Sequence, residues 1–404
     1  MDVSALRADF PALAQRVHGR PLVYLDNAAT TQVPQAVIRA MSDYLSHSHA
    51  NVHRSVHYLG EAATEQYEAA RDTAAAFLRA RREEIVFTGG TTDSIHLAAC
   101  AIERLLDPGD AVLVTELEHH SNYLPWLELC RRKGLELRCV PLTGTGEPDL
   151  ARAEALLADG RVRLLAFCQV SNVTGVRVDT ARLAALGRRY GALVLVDGAQ
   201  GIRHEDTDPS ALGCDLYCFS AHKLFGPTGI GVLWIRQSLL ERLPPVRLGG
   251  GTVRALSGGV PVLEDAPLRF EGGTPNLVGA VGLRAALDYL SAHDIQALRA
   301  RELDLTRRLE QGLERIPGVT VLGRPPVRHG MVSFICKNAA PYDLAVLLDK
   351  LGIAVRSGRH CAIPQMDRLG VSGALRVSPA FYNTEEELDR FFSCLQQVLQ
   401  VLGG

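Results

Sequence analysis

No stretch of this sequence approaches the ~20 consecutive apolar residues that a membrane-spanning helix requires. The N-terminus, Met1 to Phe10, has no basic segment leading into an apolar one. The expectation is a protein that stays in the cytosol, with no membrane partner. Charge of one sign is equally missing: 43 Lys plus Arg stand against 45 Asp plus Glu, a net charge of −2. With no field to gather a nucleic acid or an anionic lipid surface, a small molecule is the expected ligand. The nine cysteines include no C-x-x-C pair, which argues against a zinc ribbon or a redox dithiol. An odd number scattered through a long chain implies reduced thiols. Internal repeats and low-complexity tracts are absent too, so solenoids and disordered tails drop out.

What is present is an ordinary globular composition, 47% hydrophobic and 22% charged over 404 residues, long enough for one large and one smaller domain. Short apolar runs recur at Glu84 to Phe87, Ala111 to Val114, Leu135 to Val140, Arg163 to Cys168, Ala192 to Val196, Asp215 to Phe219 and Gly231 to Ile235. Amphipathic stretches lie between several of them, including Thr91 to Leu105, Tyr123 to Arg132 and Thr180 to Tyr190. Fully apolar strands alternating with helices predict a mainly parallel sheet covered on both faces, which binds its ligand at the carboxyl ends of its strands. After about Leu283 a long helical stretch, Gly282 to Arg315, is followed by short strands at 319–322, 331–336, 354–357 and 374–378, the pattern of a smaller α+β unit. Between the two, Gly249 to Pro275 is rich in Gly and Pro and reads as a functional excursion rather than a linker.

Chemistry-bearing residues collect at the expected strand ends. One apolar run leads into Asp197-Gly198-Ala199-Gln200 and the next into Ser220-Ala221-His222-Lys223. In neighbouring strands Asp197 and Lys223 face one small ligand, and a carboxylate beside a lysine suits pyridoxal 5′-phosphate (PLP). The lysine would carry the cofactor as a Schiff base, and the carboxylate would keep the pyridine nitrogen protonated. A plain Asp–Lys ion pair is the competing reading. Thr88-Gly89-Gly90-Thr91-Thr92 joins a strand to a helix start, where free N–H groups and the helix dipole favour a phosphate, unless the threonines serve only as caps. Ser220 and His222 would complete that cup. Glu118-His119-His120-Ser121-Asn122 follows another strand, and an imidazole there is suited to stack on a cofactor ring and move protons. His47, His49, His53 and His57 raise a metal site as a rival, but these histidines are expected on separate segments. Cys361, in Arg356-Ser357-Gly358-Arg359-His360-Cys361-Ala362, is the one cysteine among cations, a setting that favours thiolate. Elsewhere, as at Cys168 and Cys336, the flanking residues are apolar.

These motifs together resemble the cysteine desulfurases of class-V aminotransferase type, specifically the branch serving the SUF iron–sulfur system, with selenocysteine lyases as relatives. The landmarks run in order along the chain: Tyr24-Leu25-Asp26-Asn27-Ala28-Ala29-Thr30-Thr31, Val52-His53-Arg54, Thr91-Thr92, Glu118 to Asn122, Ser171-Asn172-Val173-Thr174-Gly175, Asp197 to Gln200, His222-Lys223, Arg269 to Asn276 and Arg356 to Ala362. The resemblance implies a fold-type I PLP-dependent transferase: an N-terminal segment (1–20) packing with the small domain, a large domain (21–282) with a seven-stranded sheet, and a small C-terminal domain (283–404) carrying the catalytic Cys loop. It implies a homodimer that makes alanine from L-cysteine, or selenocysteine in the alternative reading, and passes a Cys361 persulfide to an acceptor protein.

By the same resemblance Lys223 bears the cofactor, Asp197 pairs with its ring nitrogen, Gln200 with its ring hydroxyl, and His119 stacks on it. Thr91, Thr92, Ser220 and His222 hold the phosphate, with Thr274 arriving from the other subunit. Asn172, Arg376, Arg356 and His53 would form the substrate pocket, with no metal. Two positions depart from the family pattern: Ala221 stands where Gly is frequent, and Arg359 where His is frequent before His360. The sulfur acceptor and its pathway are not written in the sequence. A non-catalytic PLP-fold protein or a histidine metal protein are the readings of other classes.

Overall fold

The computed structural model describes residues 2–53 and 55–403; Arg54, one of the landmarks above, lies outside them. Seven strands form the central sheet: β1 (Ile85–Thr88), β2 (Ala111–Thr115), β3 (Glu136–Val140), β4 (Val162–Cys168), β5 (Leu193–Asp197), β6 (Leu216–Ser220) and β7 (Gly231–Ile235). Their spatial order is β1-β7-β6-β5-β4-β2-β3, and β7 alone runs antiparallel to its neighbours. The expected strands are all present, with ends shifted by about one residue.

Away from the edge strand β3, both faces of this sheet are largely dry, which is why its strands read as apolar runs rather than alternating ones. On one face Phe87, Leu113, Leu165, Val196 and Phe219 join the largest core. On the other, Val86, Val112, Leu164, Leu195 and Cys218 pack under the Thr91–Ile102 and Leu124–Lys133 helices.

Because β7 is the one reversed strand, the carboxyl ends of β1, β2, β4, β5 and β6 lie along the same edge. This edge brings Thr88, Thr115, Cys168, Asp197 and Ser220 toward one crevice. Asp197 pairs in register with Cys218 on β6, so the two motifs expected to face one ligand do lie on adjacent strands.

The C-terminal unit is an antiparallel sheet of β10 (Val319–Val321), β11 (Val332–Cys336), β12 (Arg356–Gly358) and β13 (Ala374–Val377), in the order β10-β11-β13-β12. The strands between it and β7, β8 (Val253–Ser257) and β9 (Val260–Leu263), make an exposed hairpin inside the Gly-rich excursion. Two further features differ from the sequence reading. The single long helix expected over 282–315 is two helices, Leu277–Ser291 and Ile295–Glu314, and the second begins where the Asp294 carboxylate accepts from the Gln296 and Ala297 N–H groups. Val23 and Leu25 lie in the C-terminal core with Phe334, Leu375 and Phe391, and Val23–Tyr24 pairs with Ile353–Ala354. Leu6, Phe10 and Leu13 join the main core, and the same N-terminal segment lies against C-terminal residues: Phe10 packs on Phe381 and Tyr382 as well as Phe225, and Arg7 pairs with Glu387 at 2.7 Å.

The excursion returns to the sheet through a buried ion pair. Glu271 takes two hydrogen bonds from the Arg71 guanidinium, at 2.7 and 2.9 Å, one from the Tyr67 hydroxyl at 2.8 Å and one from the Phe87 N–H at 2.7 Å. Arg71 also donates to the Ile85 carbonyl at 2.7 Å. The side chains are 1% and 5% exposed, so removing Glu271 leaves a buried guanidinium with Glu68, at 3.1 Å, as its remaining carboxylate. Glu271→Ala is expected to cost about 3–5 kcal/mol of stability, read as a lower urea midpoint, whereas a substitution of Glu264, 24% exposed and paired with half-exposed Arg254 on the same excursion, should shift it little.

Candidate active site

Edge residues of the sheet, the turn after β12 and the start of β13 enclose a cavity of about 290 Å³. Of the residues expected there, Thr91, Thr92, His119, Asn172, Asp197, Gln200, Ser220, His222, Lys223, Arg356, Arg376 and Cys361 line it. Two do not. Thr274 is exposed and borders a separate recess beside Thr88 and Gly89. His53 is bound to Glu68 at 2.9 Å. In the single chain neither reaches the cavity, and any part they take in a site would have to be played in a partner subunit.

The phosphate end is a helix start without a side-chain cap. Gly90 precedes the Thr91–Ile102 helix at φ 143°, a conformation open to glycine. A Cβ on Gly231 of β7 would stand 2.6 Å from the Gly90 Cα, so the turn is pressed against the sheet. The first-turn N–H groups of such a helix have no acceptor within it and favour an anion. Thr91 differs from expectation in one respect: its N–H and hydroxyl both engage the Ser220 hydroxyl, at 2.8 and 2.9 Å. It therefore braces Ser220. Thr92 shares its hydroxyl with Ser121 at 2.7 Å.

At the other end of the crevice Asp197 sits at the end of β5, buried, with one oxygen accepting from the Ala199 N–H at 2.9 Å. Burial raises its pKa, opposed by the Lys223 charge. Lys223, in the turn after β6, is pulled down to about 8 by burial, with Asp197 resisting and Arg376 and Arg203 assisting. Such a lysine loses its proton readily, as an amine that must act as nucleophile or base requires. Gln200 donates to the Ala28 carbonyl at 2.8 Å.

His119 follows β2, and its Nδ1 accepts from the Ser121 N–H at 3.0 Å. Burial, reinforced by Lys223, lowers its pKa to about 3. The ring is neutral at physiological pH with its proton on Nε2. Beneath it, buried Glu118 bonds the Thr115 hydroxyl, the Asn122 amide and the Cys168 N–H, tying three segments together. Burial pushes this carboxyl up to about 8.

The remaining wall comes from the C-terminal unit. Arg376 is 3% exposed and donates to the Asn172 carbonyl at 2.8 Å, while its Nε has no partner. Burial lowers its pKa to about 10, yet it remains a cation. The Cys361 turn is pinned by backbone bonds: the Asn172 amide donates to the His360 carbonyl and the His120 N–H to the Cys361 carbonyl, both at 2.7 Å. His360 and Cys361 both adopt left-handed φ, 51° and 52°, a strained conformation for two successive non-glycine residues. The thiol side is exposed.

One expectation about this turn needs correction. His360 is buried, neither ring nitrogen makes a well-aligned hydrogen bond, the Ala374 backbone offering only a loose approach, and its pKa falls to about 3 through burial and then Arg376. It is not a cation. Arg359 and Arg356 pair with Asp367 and Asp26, so the positive charge facing the thiol inside the cavity comes from Arg376 and Lys223. Ser121 lines the cavity without having been singled out, although it sits in a quoted motif. Asp26, behind the two arginines, was likewise passed over.

The histidines considered for a metal are apart. His47 bonds the Asp43 carbonyl and His57 caps the Tyr58–Phe77 helix. Among the described residues no group of three or more His, Cys, Asp or Glu is placed to hold a metal ion, and no helix is long and apolar enough to cross a membrane.

The donor set fits PLP: an uncapped helix start with Ser220 for a phosphate, buried Asp197 for a protonated ring nitrogen, and an easily deprotonated lysine between them. Comparison with known proteins runs the same way. The family described as aminotransferase class-V matches residues 23–391. A cysteine desulfurase of Pectobacterium carotovorum is 43% identical over 405 residues, covering 100% of this chain and 99% of the relative. One from Klebsiella pneumoniae is 45% identical, covering 99% of each. Among solved structures, the apo cysteine desulfurase of Thermococcus onnurineus superposes with a TM-score of 0.93 at 36% identity over 98% of both chains. The Escherichia coli cysteine desulfurase CsdA superposes with a TM-score of 0.91 at 38% identity over 99% of both.

Proposed function

The chain belongs to the class-V aminotransferase family, and from that premise we propose that it is a PLP-dependent cysteine desulfurase that moves the sulfur of L-cysteine onto Cys361. The observation that carries this reading is a thiol, Cys361, in the same cavity as Lys223 and Asp197. A transaminase needs the last two and has no use for the first.

PLP, when bound, supplies an electron sink for negative charge at the substrate Cα. Asp197 would hold the ring nitrogen, Gln200 the ring hydroxyl, and the Thr92–Ser220–His222 group the phosphate. Arg376, which lines the cavity and is steadied by Asn172, would bind the substrate carboxylate. Lys223, already inclined to lose its proton, would take the Cα proton. The Cys361 thiolate then attacks the substrate sulfur: the new S–S bond forms as the Cβ–S bond breaks, and the electron pair returns to carbon. Protonation at Cβ, with His119 relaying the proton through Nε2, and return of the Cα proton from Lys223 yield alanine. The sum is L-cysteine plus Cys361 thiol giving L-alanine plus Cys361 persulfide.

A homodimer would let Thr274 and His53, which stop short of their own cavity, serve the partner's. The Cys361 turn is short and pinned to Asn172 and His120, which supports the SUF branch, where the nucleophile does not ride on a long loop. Its persulfide is expected to pass to a cytosolic carrier or scaffold protein. The test is intact-protein and peptide mass spectrometry after addition of L-cysteine. The expected result is one added sulfur atom, removable by reductant and mapped to Cys361. Alanine formation with sulfide released and no sulfur retained on the protein would overturn the reading.

A further inference from the structure

Lys223 sits in a turn that its own backbone does not fully close. After β6 the Leu224 and Gly226 N–H groups both donate to the Ala221 carbonyl, at 2.8 and 3.0 Å. Between them the Phe225 N–H leaves the turn and finds its acceptor 194 residues away in sequence, on the Thr31 hydroxyl at 2.7 Å. The same hydroxyl donates to the His222 carbonyl at 3.1 Å. That carbonyl also accepts from the Thr31 N–H at 2.9 Å and the Thr30 hydroxyl at 3.1 Å. Thr31 thus gives its one hydroxyl proton to the carbonyl just before Lys223 and a lone pair to an N–H just after it.

The turn has reason to drift without this brace. Phe225 holds a left-handed φ of 62°, a costly conformation for a bulky residue. Its ring is buried and packs on Phe381 at 4.7 Å and on Phe10 and Tyr382 at 6.0 Å, centroid to centroid. With the ring anchored in the core, relaxation of the backbone is taken up on the other side, toward Lys223. Thr31 is 2% exposed, so solvent does not stand in for its hydroxyl. Thr31 is itself well held: the Tyr24 hydroxyl donates to the Thr30 carbonyl at 2.9 Å, and the Gln32 N–H to the Tyr382 hydroxyl at 3.0 Å. Just before it, Ala28 and Ala29 line the cavity, and the Ala28 carbonyl holds the Gln200 amide.

The bond between lysine and PLP forms when the unprotonated Nζ adds to the cofactor aldehyde and water leaves. It requires the nitrogen at the right distance and direction, and order already present in the free protein does not have to be supplied by the bond itself. We propose that Thr31 is a positioning residue for Lys223: its hydroxyl pre-sets the lysine turn, and it acts on the lysine–cofactor bond rather than on the hold of the phosphate and ring. The proposal deepens the PLP reading of the site and rests on it.

The test sets PLP against pyridoxamine 5′-phosphate, which has the same ring and phosphate but an amine in place of the aldehyde, and so cannot bond to lysine. Equilibrium dialysis gives the affinity of the cofactor-stripped full-length protein for each, and visible absorbance reports the lysine-bound form. In Thr31→Val the ratio of PLP to pyridoxamine phosphate affinity is expected to fall about tenfold, the scale of a buried hydrogen-bonding group left unpaired. Thr31→Ala removes the same hydroxyl with a smaller side chain and carries the same expectation. Thr31→Ser, which keeps the hydroxyl, should hold the wild-type ratio. In a Lys223→Ala background, Thr31→Val should change the ratio no further, because its effect runs through the lysine. Four results overturn the proposal: an unchanged ratio in both hydroxyl-free variants; affinities for the two ligands that fall in step or vanish together; a serine variant as poor as the valine one; or an effect that survives in the Lys223→Ala background. A wild-type protein that binds PLP without gaining visible absorbance would instead overturn the PLP reading, and this proposal with it.

Discussion

Cys361→Ser is expected to bind PLP and L-cysteine as the wild type does while making alanine from cysteine about 10³-fold or more slowly, the scale for losing a covalent nucleophile. The substitution separates chemistry from structure because the ties of this turn are made by backbone: the Cys361 carbonyl accepts from His120, and the His360 carbonyl from Asn172. None of them uses the sulfur. Serine takes on the same left-handed φ of 52° with a side chain of nearly the same shape. What disappears is a soft nucleophile able to attack divalent sulfur and to hold a persulfide. The measurements are alanine formation and the cysteine-induced change in the visible spectrum, taken on the same preparation. Retained spectral change with lost turnover is the expected pattern. Alanine production near the wild-type rate would make Cys361 a bystander and the enzyme a lyase that releases sulfide directly. Selenocysteine is the substrate expected to suffer least, since selenium leaves carbon more readily.

Much of this site was legible in the sequence because an open parallel sheet converts order into position. Apolar runs give the strands, their carboxyl ends share one edge, and Asp197 and Lys223 follow consecutive runs. Adjacency of β5 and β6 was then enough to bring them together. What the residue types could not convey was solvation. His360 reads as a cation beside Cys361, yet a ring with 8% of its surface exposed and Arg376 nearby stays neutral. Thr91 reads as a phosphate ligand, but its donors turn to Ser220, a choice set by how closely β6 and the Gly90 turn are pressed together. Asp26 was quoted within a motif and given no task, because its two partners lie some 330 and 350 residues away in the chain and no local pattern announces them. The break at residues 292–294 was missed for a simpler reason: an Asp N-cap inside a continuous apolar periodicity looks like one more polar position.

Lys223→Ala should abolish both the visible absorbance of lysine-bound cofactor and turnover, the latter by about 10³-fold or more if the lysine is also the Cα base. A second consequence follows from how its environment treats charge. Burial holds the folded-state pKa near 8, below the 10.5 of a solvated lysine, despite the help of Asp197. Between those two values the unfolded chain binds the extra proton and the folded chain does not, so the stability of the cofactor-free protein should rise with pH across this window on account of Lys223. Below about pH 8 both states are charged and the folded one bears the penalty of keeping an ammonium beside Arg376 and Arg203. Lys223→Ala removes that penalty. The variant is therefore expected to be the more stable cofactor-free protein at neutral pH and to lose this part of the rise between pH 8 and 10.5. Urea midpoints of wild type and variant at pH 7, 9 and 10.5, with the cofactor stripped from both, measure it. A wild-type advantage at pH 7, or parallel pH curves, would mean that Lys223 is solvated in the folded chain and is not the primed amine that the chemistry requires.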